Sequence, residues 1–351
     1  MKETRQKKYA WFVGIDVSRN KLDYAVMRGK QLLFHDEIEN STPFIKQFVL
    51  ELKAMKGFTM SKTIFCMENT GFYCNHLLEV LHQMKANIVQ EPPAQIMKTM
   101  GVVRGKNDKV DAIRIADYAY KNRETLRFWQ PRRPVLNELA KLSTMRSRLM
   151  NYLLGISVPL KEETDFIKKK VANQSLQLCT KSIAALKADI KAVDDLMLKL
   201  INEDAELSPL RDIIVSVDHV GPVTATQILI CTNEFRDISN PKKFACYAGV
   251  APFPRESGVA TSRRRVSHIA NKKMKALLHT CAVGTIRGSN DLTAYYLRKT
   301  QDEKKPKMAV LNAIRYKIIL RIFTCVKQNR KYEKTYVNNW VKPVEEAVND
   351  M

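Results

Sequence analysis

The stretch that decides the fold is Phe12-Val13-Gly14-Ile15-Asp16-Val17-Ser18, an apolar run with one carboxylate at its centre. Its length and apolar content are those of a buried strand. A carboxylate in such a place costs free energy unless it is paired or binds a metal ion. Three other acids, Glu68, Asp108 and Asp111, follow in short motifs further along the chain. We therefore interpret the four carboxylates as one metal-binding set.

The segments around this run alternate between strand-like and helical patterns. Residues 11–17, 22–27 and 31–38 are typical of short strands joined by tight turns, which predicts an antiparallel meander. A crossover helix is predicted after Ser41-Thr42-Pro43. The pattern then predicts a strand at 63–67, a helix at 72–84, a short strand at 87–89 and a helix from about Asp108 to Lys121.

These elements place the acids at the middle of the first strand, the end of the fourth and the start of a late helix, an order that resembles ribonuclease H-like domains. Adjacent strand ends and one helix turn can bring carboxylates within a few ångströms, where divalent cations make the cluster tolerable. Asp108 and Asp111 are three apart and share a helix face. Two Mg²⁺ ions about 3.5–4 Å apart would then assist phosphoryl transfer.

Each acid also has a simpler explanation. Asp16 could form a turn at a strand end, and Glu68 could cap the following helix. Asp108 is a plausible N-cap, and Asp111 could pair with Arg114. The residues alone leave these alternatives open.

The charge balance points to a polyanionic partner. Lys and Arg outnumber Asp and Glu by 59 to 36 in the 351 residues, a formal net charge of +23. Such a field favours nucleic acid and makes binding depend on salt, although a merely solvated basic surface is the alternative. The seven cysteines are scattered, with no C-x-x-C, as in a reducing compartment. Without an apolar run of about 18 residues or a signal-peptide pattern, we expect a cytoplasmic protein without membrane contact.

Three blocks of the sequence resemble those of the DEDD-type insertion-sequence transposases, a family that includes the Piv-type DNA invertases. The blocks are residues 14–18, 68–73 and 106–112. The resemblance implies an α/β, RNase H-like domain of the RuvC type over 9–128. It makes Asp16, Glu68, Asp108 and Asp111 the catalytic acids that bind Mg²⁺ or Mn²⁺. We add Arg104 and Lys106, just before Asp108, as nucleic-acid contacts.

Long helices are predicted over 132–207. Apolar residues recur at spacings of three and four from Ile183 to Leu200, which indicates a coiled-coil seam. Pro159 should kink or end the first helix, and the link over 162–174 should reverse the chain. Such an arm either packs within the chain or joins subunits. We favour a homo-oligomer, dimer or tetramer, because DNA strand exchange needs several active sites held together.

Residues 208–335 are predicted to form a mainly α-helical C-terminal transposase domain, with 336–351 as a flexible tail. Residues 217–228 resemble a helix-hairpin-helix motif, in which backbone N–H groups beside Gly221 would contact a phosphate. The alternative is a packing hairpin without phosphate contact.

Ser257 precedes a glycine in a stretch that is dense in base. The candidate nucleic-acid contacts there are Arg255, Arg263, Arg264, Arg265, Lys272, Lys273 and Lys275. From the residues alone Ser257-Gly258 is more typical of a turn than of a nucleophile. The family resemblance implies instead that Ser257 is the nucleophile, which forms a covalent phosphoserine link with DNA. Ser262 and Ser267 are the other candidates.

The sequence therefore predicts a transposase or site-specific DNA recombinase. The resemblance also implies guidance by a structured RNA encoded by the element. A metal-dependent nuclease or junction resolvase with water as nucleophile is the first alternative, and a non-catalytic nucleic-acid-binding protein is the second. A tyrosine recombinase using Tyr295 or Tyr296 is disfavoured, since such enzymes need no carboxylate cluster.

Overall fold

A five-stranded mixed sheet forms the centre of the N-terminal unit. The structure, a computed structural model, describes residues 9–98, 108–257 and 260–334, with the backbone alone for 98, 108, 254–257 and 260–265. The chain divides into two units between Pro131 and Arg132. Arg104, Lys106 and the predicted tail at 336–351 lie outside the described residues.

The sheet has the order β3-β2-β1-β4-β5. Its strands are β1 (Trp11–Val17), β2 (Lys21–Arg28), β3 (Gln31–Glu39), β4 (Thr63–Glu68) and β5 (Asn87–Glu91). The first three strands pair antiparallel, as predicted, while β4 and β5 run parallel to β1. The predicted fifth strand ended at Val89, whereas β5 continues to Glu91.

Helices cover both faces of this sheet. The N-terminal helices are α1 (Thr42–Ala54), α2 (Asn75–Gln83), α3 (Pro93–Lys98) and α4 (Asp108–Asn122). Along β1, Val13 and Ile15 pack with residues of α1 and α2, while Phe12 packs with residues of α4. The alternation of side chains along a strand thus directs Phe12, Gly14 and Asp16 towards α4. The predicted α/β N-terminal domain is confirmed, and its sheet is consistent with an RNase H-like fold.

Gly14 allows α4 to lie directly on β1. A Cβ at this position would be 2.2 Å from the backbone nitrogen of Ala116 and 2.3 Å from the backbone oxygen of Ala112. Only glycine fits at this distance, because the clash would be with main-chain atoms. The rings of Phe12 and Tyr120 meet at 5.3 Å between centroids. Since later residues of α4 lie over earlier residues of β1, the helix runs antiparallel to the strand, and its N-terminus points towards Asp16.

The C-terminal unit is mostly helical, as predicted. Its helices are α5 (Pro134–Phe166), α6 (Lys169–Glu203), α7 (Leu207–Val215), α8 (Pro222–Thr232), α9 (Pro241–Tyr247), α10 (Lys272–Arg287), α11 (Asp291–Leu297) and α12 (Lys307–Lys327). Between α9 and α10, β6 (Pro252–Ser257) and β7 (Ala260–Val266) form an antiparallel hairpin. In the described part of the chain, no helix combines the length and apolarity that crossing a membrane requires.

Helices α5 and α6 form a long hairpin, which we call the arm. Arg146 on α5 pairs with Asp194 on α6 at 2.6 Å. Near the base, Leu139, Met197 and Ile201 belong to the same core as α8, α10 and α12. The predicted link over 162–174 is wrong in extent, because only residues 167 and 168 separate the helices, and α5 does not end at Pro159. A separate domain over 132–207, and the coiled-coil character of its seam, stay predictions.

Candidate active site

Four carboxylates lie in one row across the sheet. Asp16 on β1 is opposite Asp23 on β2, and Glu68 on β4 is opposite Glu91 on β5. The pairing of Ile15 with Met67 places Asp16 beside Glu68. Side chains in register across a sheet point to the same face. The row Asp23, Asp16, Glu68, Glu91 therefore lies on the face that α4 covers.

The N-terminus of α4 adds two acids to this edge. Asp108 is the first residue of the helix, and Asp111 directly precedes the Ala112 that contacts Gly14. Because α4 runs antiparallel to β1, both residues lie at the end of the strand that carries Asp16. The fold thus brings the backbone positions of Asp16, Glu68, Asp108 and Asp111 to one edge of the sheet.

The two outer acids of the row have polar or charged partners among their own neighbours. The Nζ of Lys21 lies 3.1 Å from Asp23, whose side chain is 5% exposed. His35 Nε2 lies 3.7 Å from the same carboxylate. Burial raises the pKa of Glu91, while a hydrogen bond from Tyr118 and the charge of Arg127 act against that rise. Both acids thus have partners within the protein.

The side chains next to Glu68 and Glu91 on this face of the sheet are buried. Burial raises the pKa of the Cys66 thiol, two residues before Glu68 on the same face. Burial and the nearby Glu91 raise the pKa of Tyr118 to about 12. Both groups are therefore neutral at physiological pH, and the sheet side of the site contributes low polarity, which strengthens electrostatic interactions at its rim.

Asp111 takes part in an ion pair. The Nη1 of Arg114 lies 2.9 Å from its carboxylate, one helix turn away. This ion pair is the simpler explanation that the sequence allowed for Asp111. It involves one carboxylate oxygen, Oδ1, and the other oxygen can still bind a metal ion. Among the side chains that the structure describes, no group of three or more His, Cys, Asp or Glu is close enough to hold a metal ion. The side chain of Asp108 is not among them, so the four-acid metal set stays a prediction.

The donor chemistry nevertheless fits a hard divalent cation. Carboxylate oxygens are the ligands that Mg²⁺ and Mn²⁺ prefer in proteins. Asp16, Glu68 and Asp111 are each half-buried, which leaves part of each side chain at the surface. The residues present at this edge are thus of the type and exposure that such an ion requires.

The second candidate region is the β6–β7 hairpin of the C-terminal unit. Ser257 is the last residue of β6 and is opposite Ala260, the first residue of β7. Residues 258 and 259 between them lie outside the described residues. Arg255 is opposite Ser262, and Arg265 is opposite Phe253. The backbone therefore places Ser257 beside the hairpin tip, with Arg263 and Arg264 on the strand that returns from it.

A close contact fixes the base of this hairpin. Gly249 has a φ of +65°, and a Cβ there would lie 2.5 Å from the Cβ of Ala270. Asn312 on α12 donates a hydrogen bond of 2.7 Å to the carbonyl of Val250. The residues just before β6 therefore contact the N-terminal end of α10 and the middle of α12.

The three candidate lysines of α10 differ in their surroundings. Lys272 is exposed. Lys273 donates hydrogen bonds to Ser143, at 2.8 Å to Oγ and 3.0 Å to the backbone oxygen, and burial lowers its pKa. Lys275 has its Cδ 3.6 Å from the place of a Cβ at Gly249. Lys273 is held within the protein, and the nucleic-acid role of all three stays a prediction.

The segment that resembles a helix-hairpin-helix consists of α7, a tight turn and α8. Gly221 is the N-cap of α8 without a side-chain cap, and nothing lies within 4 Å of a Cβ built on it. Helix α8 is buried from Thr224 to Ile230. It therefore serves as a core helix, and a phosphate contact at Gly221 stays a prediction.

Sequence reasoning missed Asp23 and Glu91. Their positions in the row depend on which residues pair across strands, and neither residue stands in a motif. The only available signal was that Glu91 ends a short strand, as Glu68 does.

The N-terminal mixed sheet with its flanking helices is consistent with an RNase H-like domain, and a mostly helical region follows it. Two family models match the chain in agreement with this architecture. A DEDD transposase model of the IS110 type matches residues 13–154, and the model "Transposase IS116/IS110/IS902 family" matches residues 211–297.

Similar proteins are found over most of the chain. The pilin gene-inverting protein of Moraxella lacunata is 24% identical over 334 residues, which are 92% of this chain and 98% of that protein. That of Moraxella bovis has the same identity and coverage. The insertion element IS110 uncharacterized 43.6 kDa protein of Streptomyces coelicolor is 25% identical over 133 residues, 38% of this chain and 33% of that protein.

The chain belongs to the IS110/IS116/IS902 family of insertion-sequence transposases. It is an enzyme of DNA transposition or recombination, and DNA is its partner. The DEDD character of the family also implies a general dependence on divalent metal ions.

Proposed function

We propose that this transposase cuts and rejoins DNA through a covalent bond between Ser257 and a DNA phosphate, with the help of Asp16, Glu68, Asp108 and Asp111. The observation that carries the acidic half is the glycine contact. Because Gly14 lets α4 lie against β1, the helix positions of Asp108 and Asp111 reach the edge with Asp16 and Glu68. This is the arrangement that a shared carboxylate site requires.

The four acids would hold Mg²⁺ or Mn²⁺. A bound ion of this kind offsets negative charge on phosphate oxygens and polarises them. Asp23 and Glu91 are not part of the proposed ligand set, since Lys21 and Tyr118 already hold them.

Ser257 would supply the nucleophile. Its Oγ attacks the phosphorus, the bond to the leaving sugar oxygen breaks, and that oxygen takes up the proton that the serine loses. The products are a phosphoserine ester and a free sugar hydroxyl. Attack by a new strand end reverses the step and reseals the backbone. The position of Ser257 beside a hairpin tip, on a hairpin with four arginines, supports this role because cations stabilise the developing charge.

A structured RNA from the element and a second copy of the chain complete the proposal. The net charge of +23 suits the binding of two nucleic acids. Large apolar side chains are exposed on the arm beyond its base, among them Phe166 at 90% and Leu178 at 77%. Exposed apolar residues in such density favour a contact between copies, and a dimer or tetramer would bring several sites together.

A covalent adduct tests the proposal. The full chain is incubated with Mg²⁺, RNA transcribed from the element and labelled DNA with the element's ends, then denatured. A protein–DNA adduct is expected for the wild type, for Ser262→Ala and for Ser267→Ala, and its loss for Ser257→Ala and Asp16→Asn. DNA cleavage without any adduct, unchanged in Ser257→Ala, would instead identify a water-dependent nuclease. Strand transfer that survives Asp16→Asn together with Glu68→Gln would remove the acids from the mechanism.

A further inference from the structure

Arg315, in the middle of α12, is a buried cation that forms no salt bridge with any carboxylate among the described residues. Its side chain belongs to the buried residues, with 5% of the residue exposed. Burial lowers its pKa, and no acid acts on it in the opposite direction. A buried charge without a counter-charge is unfavourable, and arginine remains protonated under such conditions. The protein therefore maintains a costly group that its own described residues do not neutralise.

The contacts of Arg315 leave part of its hydrogen-bonding capacity unused. Its Nη2 lies 2.7 Å from Nδ1 of His279 on α10, and its Nη1 lies 3.4 Å from Oδ1 of Asn312. Its Nε–H is buried and has no acceptor among the residues that the structure describes. The guanidinium thus has one buried N–H donor without a partner among the described residues.

The arginine also determines the state of His279. A guanidinium can only donate, so Nδ1 accepts and the imidazole proton resides on Nε2. Burial, together with the neighbouring Arg315, lowers the pKa of His279 and favours this neutral form. The Nε2–H is then a second donor beside the guanidinium. His279 and Asn312 are both partly exposed, so the cluster opens to solvent on their side.

Other arginines of the C-terminal unit form salt bridges with carboxylates. Arg321 forms a salt bridge with Asp291, the first residue of α11. Arg133, at the start of the arm, has Asp204 and Glu234 as partners. Other arginines of this unit thus have carboxylate partners, whereas Arg315 has none among the described residues.

The cluster lies at the base of the hairpin that carries Ser257. Asn312, three residues before Arg315 on α12, donates to the carbonyl of Val250, and β6 begins two residues later. On α10, Lys275 is one turn before His279, and its Cδ lies against Gly249. Arg315, His279 and Lys275 thus converge where the hairpin leaves the helical core.

We propose that Arg315 and His279 form a binding site for a phosphodiester group of DNA at the base of the Ser257 hairpin. The phosphate supplies the missing acceptor for the Arg315 Nε–H and the missing counter-charge, and His279 donates to it through Nε2–H. The placement of DNA along the hairpin rests on the proposed function. The anion site itself depends only on the chemistry of the cluster. An oxyanion is the ligand that guanidinium donors recognise in this way.

Inorganic phosphate is the first probe of the site. The melting temperature of the full chain is measured with increasing phosphate at constant ionic strength, with chloride as the balancing anion. Arg315→Met is compared with Arg321→Met, a control that removes the same charge from the same helix. We expect a saturable rise for the wild type and Arg321→Met, and its loss in Arg315→Met. Without phosphate, Arg315→Met should melt no lower than the wild type, because it removes an unbalanced buried charge.

DNA is the second probe, and RNA of the same length is the comparison. Arg315→Met should weaken DNA binding about tenfold and lower the slope of log Kd against log salt by about one. A lower melting temperature in Arg315→Met with an unchanged phosphate response would show a purely structural arginine and overturn the proposal. Weakened RNA binding with unchanged DNA binding would also overturn it. The phosphate response does not involve Ser257, so a failure of the serine mechanism leaves this test intact.

Discussion

Glu68 and Glu91 are neighbours in register, yet the structure gives them different tasks. Glu91 accepts a hydrogen bond from Tyr118 and lies near Arg127, although burial raises its pKa on balance. Glu68 lies beside Asp16 and nearer to the N-terminus of α4. Two adjacent residues of the same type thus provide a matched pair of variants for the acidic site.

The first prediction compares Glu68→Gln with Glu91→Gln. Glu68→Gln should lower metal-dependent DNA cleavage by more than about 100-fold, because it removes a proposed metal ligand. Glu91→Gln should lower it by less than about tenfold, since it changes only a neighbour of the ligands. The measurement is the cleavage rate as a function of Mg²⁺ and Mn²⁺ concentration. Equal losses in both variants would contradict this division of roles.

At the residue scale, the sequence predicted those site residues that stand in recognisable motifs. Asp16, Glu68, Asp108 and Asp111 stand in recognisable blocks, and the fold brings their backbones to one edge. Glu91 stands in no such block and lies two residues beyond the strand that the sequence predicts at 87–89. Nothing in the sequence around Arg315 indicates that this residue is buried, yet His279 of α10 lies against it. Whether a single charged residue is buried depends on neighbours that are distant in sequence. The periodic pattern of one helix carries no information about them.

Among the elements, the arm is fixed to the core by a group of charges at its base. Arg133, the N-cap residue of α5, pairs with Asp204 at the end of α6 and with Glu234 after α8. The side chain of Glu234 is 2% exposed. Burial alone would raise the pKa of Asp204, but hydrogen bonds from Arg133 and from the amides of residues 206 and 207 hold it below its usual range.

The second prediction concerns this group. Arg133→Ala should destabilise the C-terminal unit by about 3 kcal/mol, because it leaves Glu234 buried with Arg236 as its remaining partner. Lys191→Ala is the control. Lys191 forms an exposed pair with Asp195 on the arm, and its loss should leave the urea midpoint nearly unchanged. Urea unfolding followed by circular dichroism measures both. Equal effects would show that the group at Arg133 does not anchor the arm.

Pro159 illustrates why the element boundaries of the arm were partly mispredicted. An internal proline removes one backbone hydrogen bond and usually breaks a helix. Here α5 continues to Phe166, with Pro159 on an exposed side. Packing along α6 stabilises the helix over a length that local propensity alone does not support. By contrast, β1, a strand buried along most of its length, was predicted with its observed bounds, since local pattern and tertiary environment agree there.

At the scale of the whole molecule, the exposed apolar residues of the arm bear on the oligomeric state. The third prediction is that the double variant Phe166→Asp with Leu178→Asp shifts the full chain from an oligomer to a monomer. Charges on this surface would have to be desolvated in the contact. Light scattering after size-exclusion chromatography measures the mass.

Leu50→Asp provides the control for this variant. Leu50 is exposed on α1, outside the arm, so its substitution should leave the mass unchanged. An oligomer that survives the double substitution would locate the contact between copies elsewhere.

The contact at Gly14 has a consequence for how the protein tolerates mutation. Most core positions can be rescued, because a larger side chain is accommodated when a neighbouring side chain becomes smaller. At Gly14 the neighbours are main-chain atoms of α4, which every amino acid possesses. No second substitution can make room, and only a displacement of the helix relieves the clash. Such a displacement carries Asp108 and Asp111 with it, so genetic suppressors that restore folding at this position would not restore the geometry of the site.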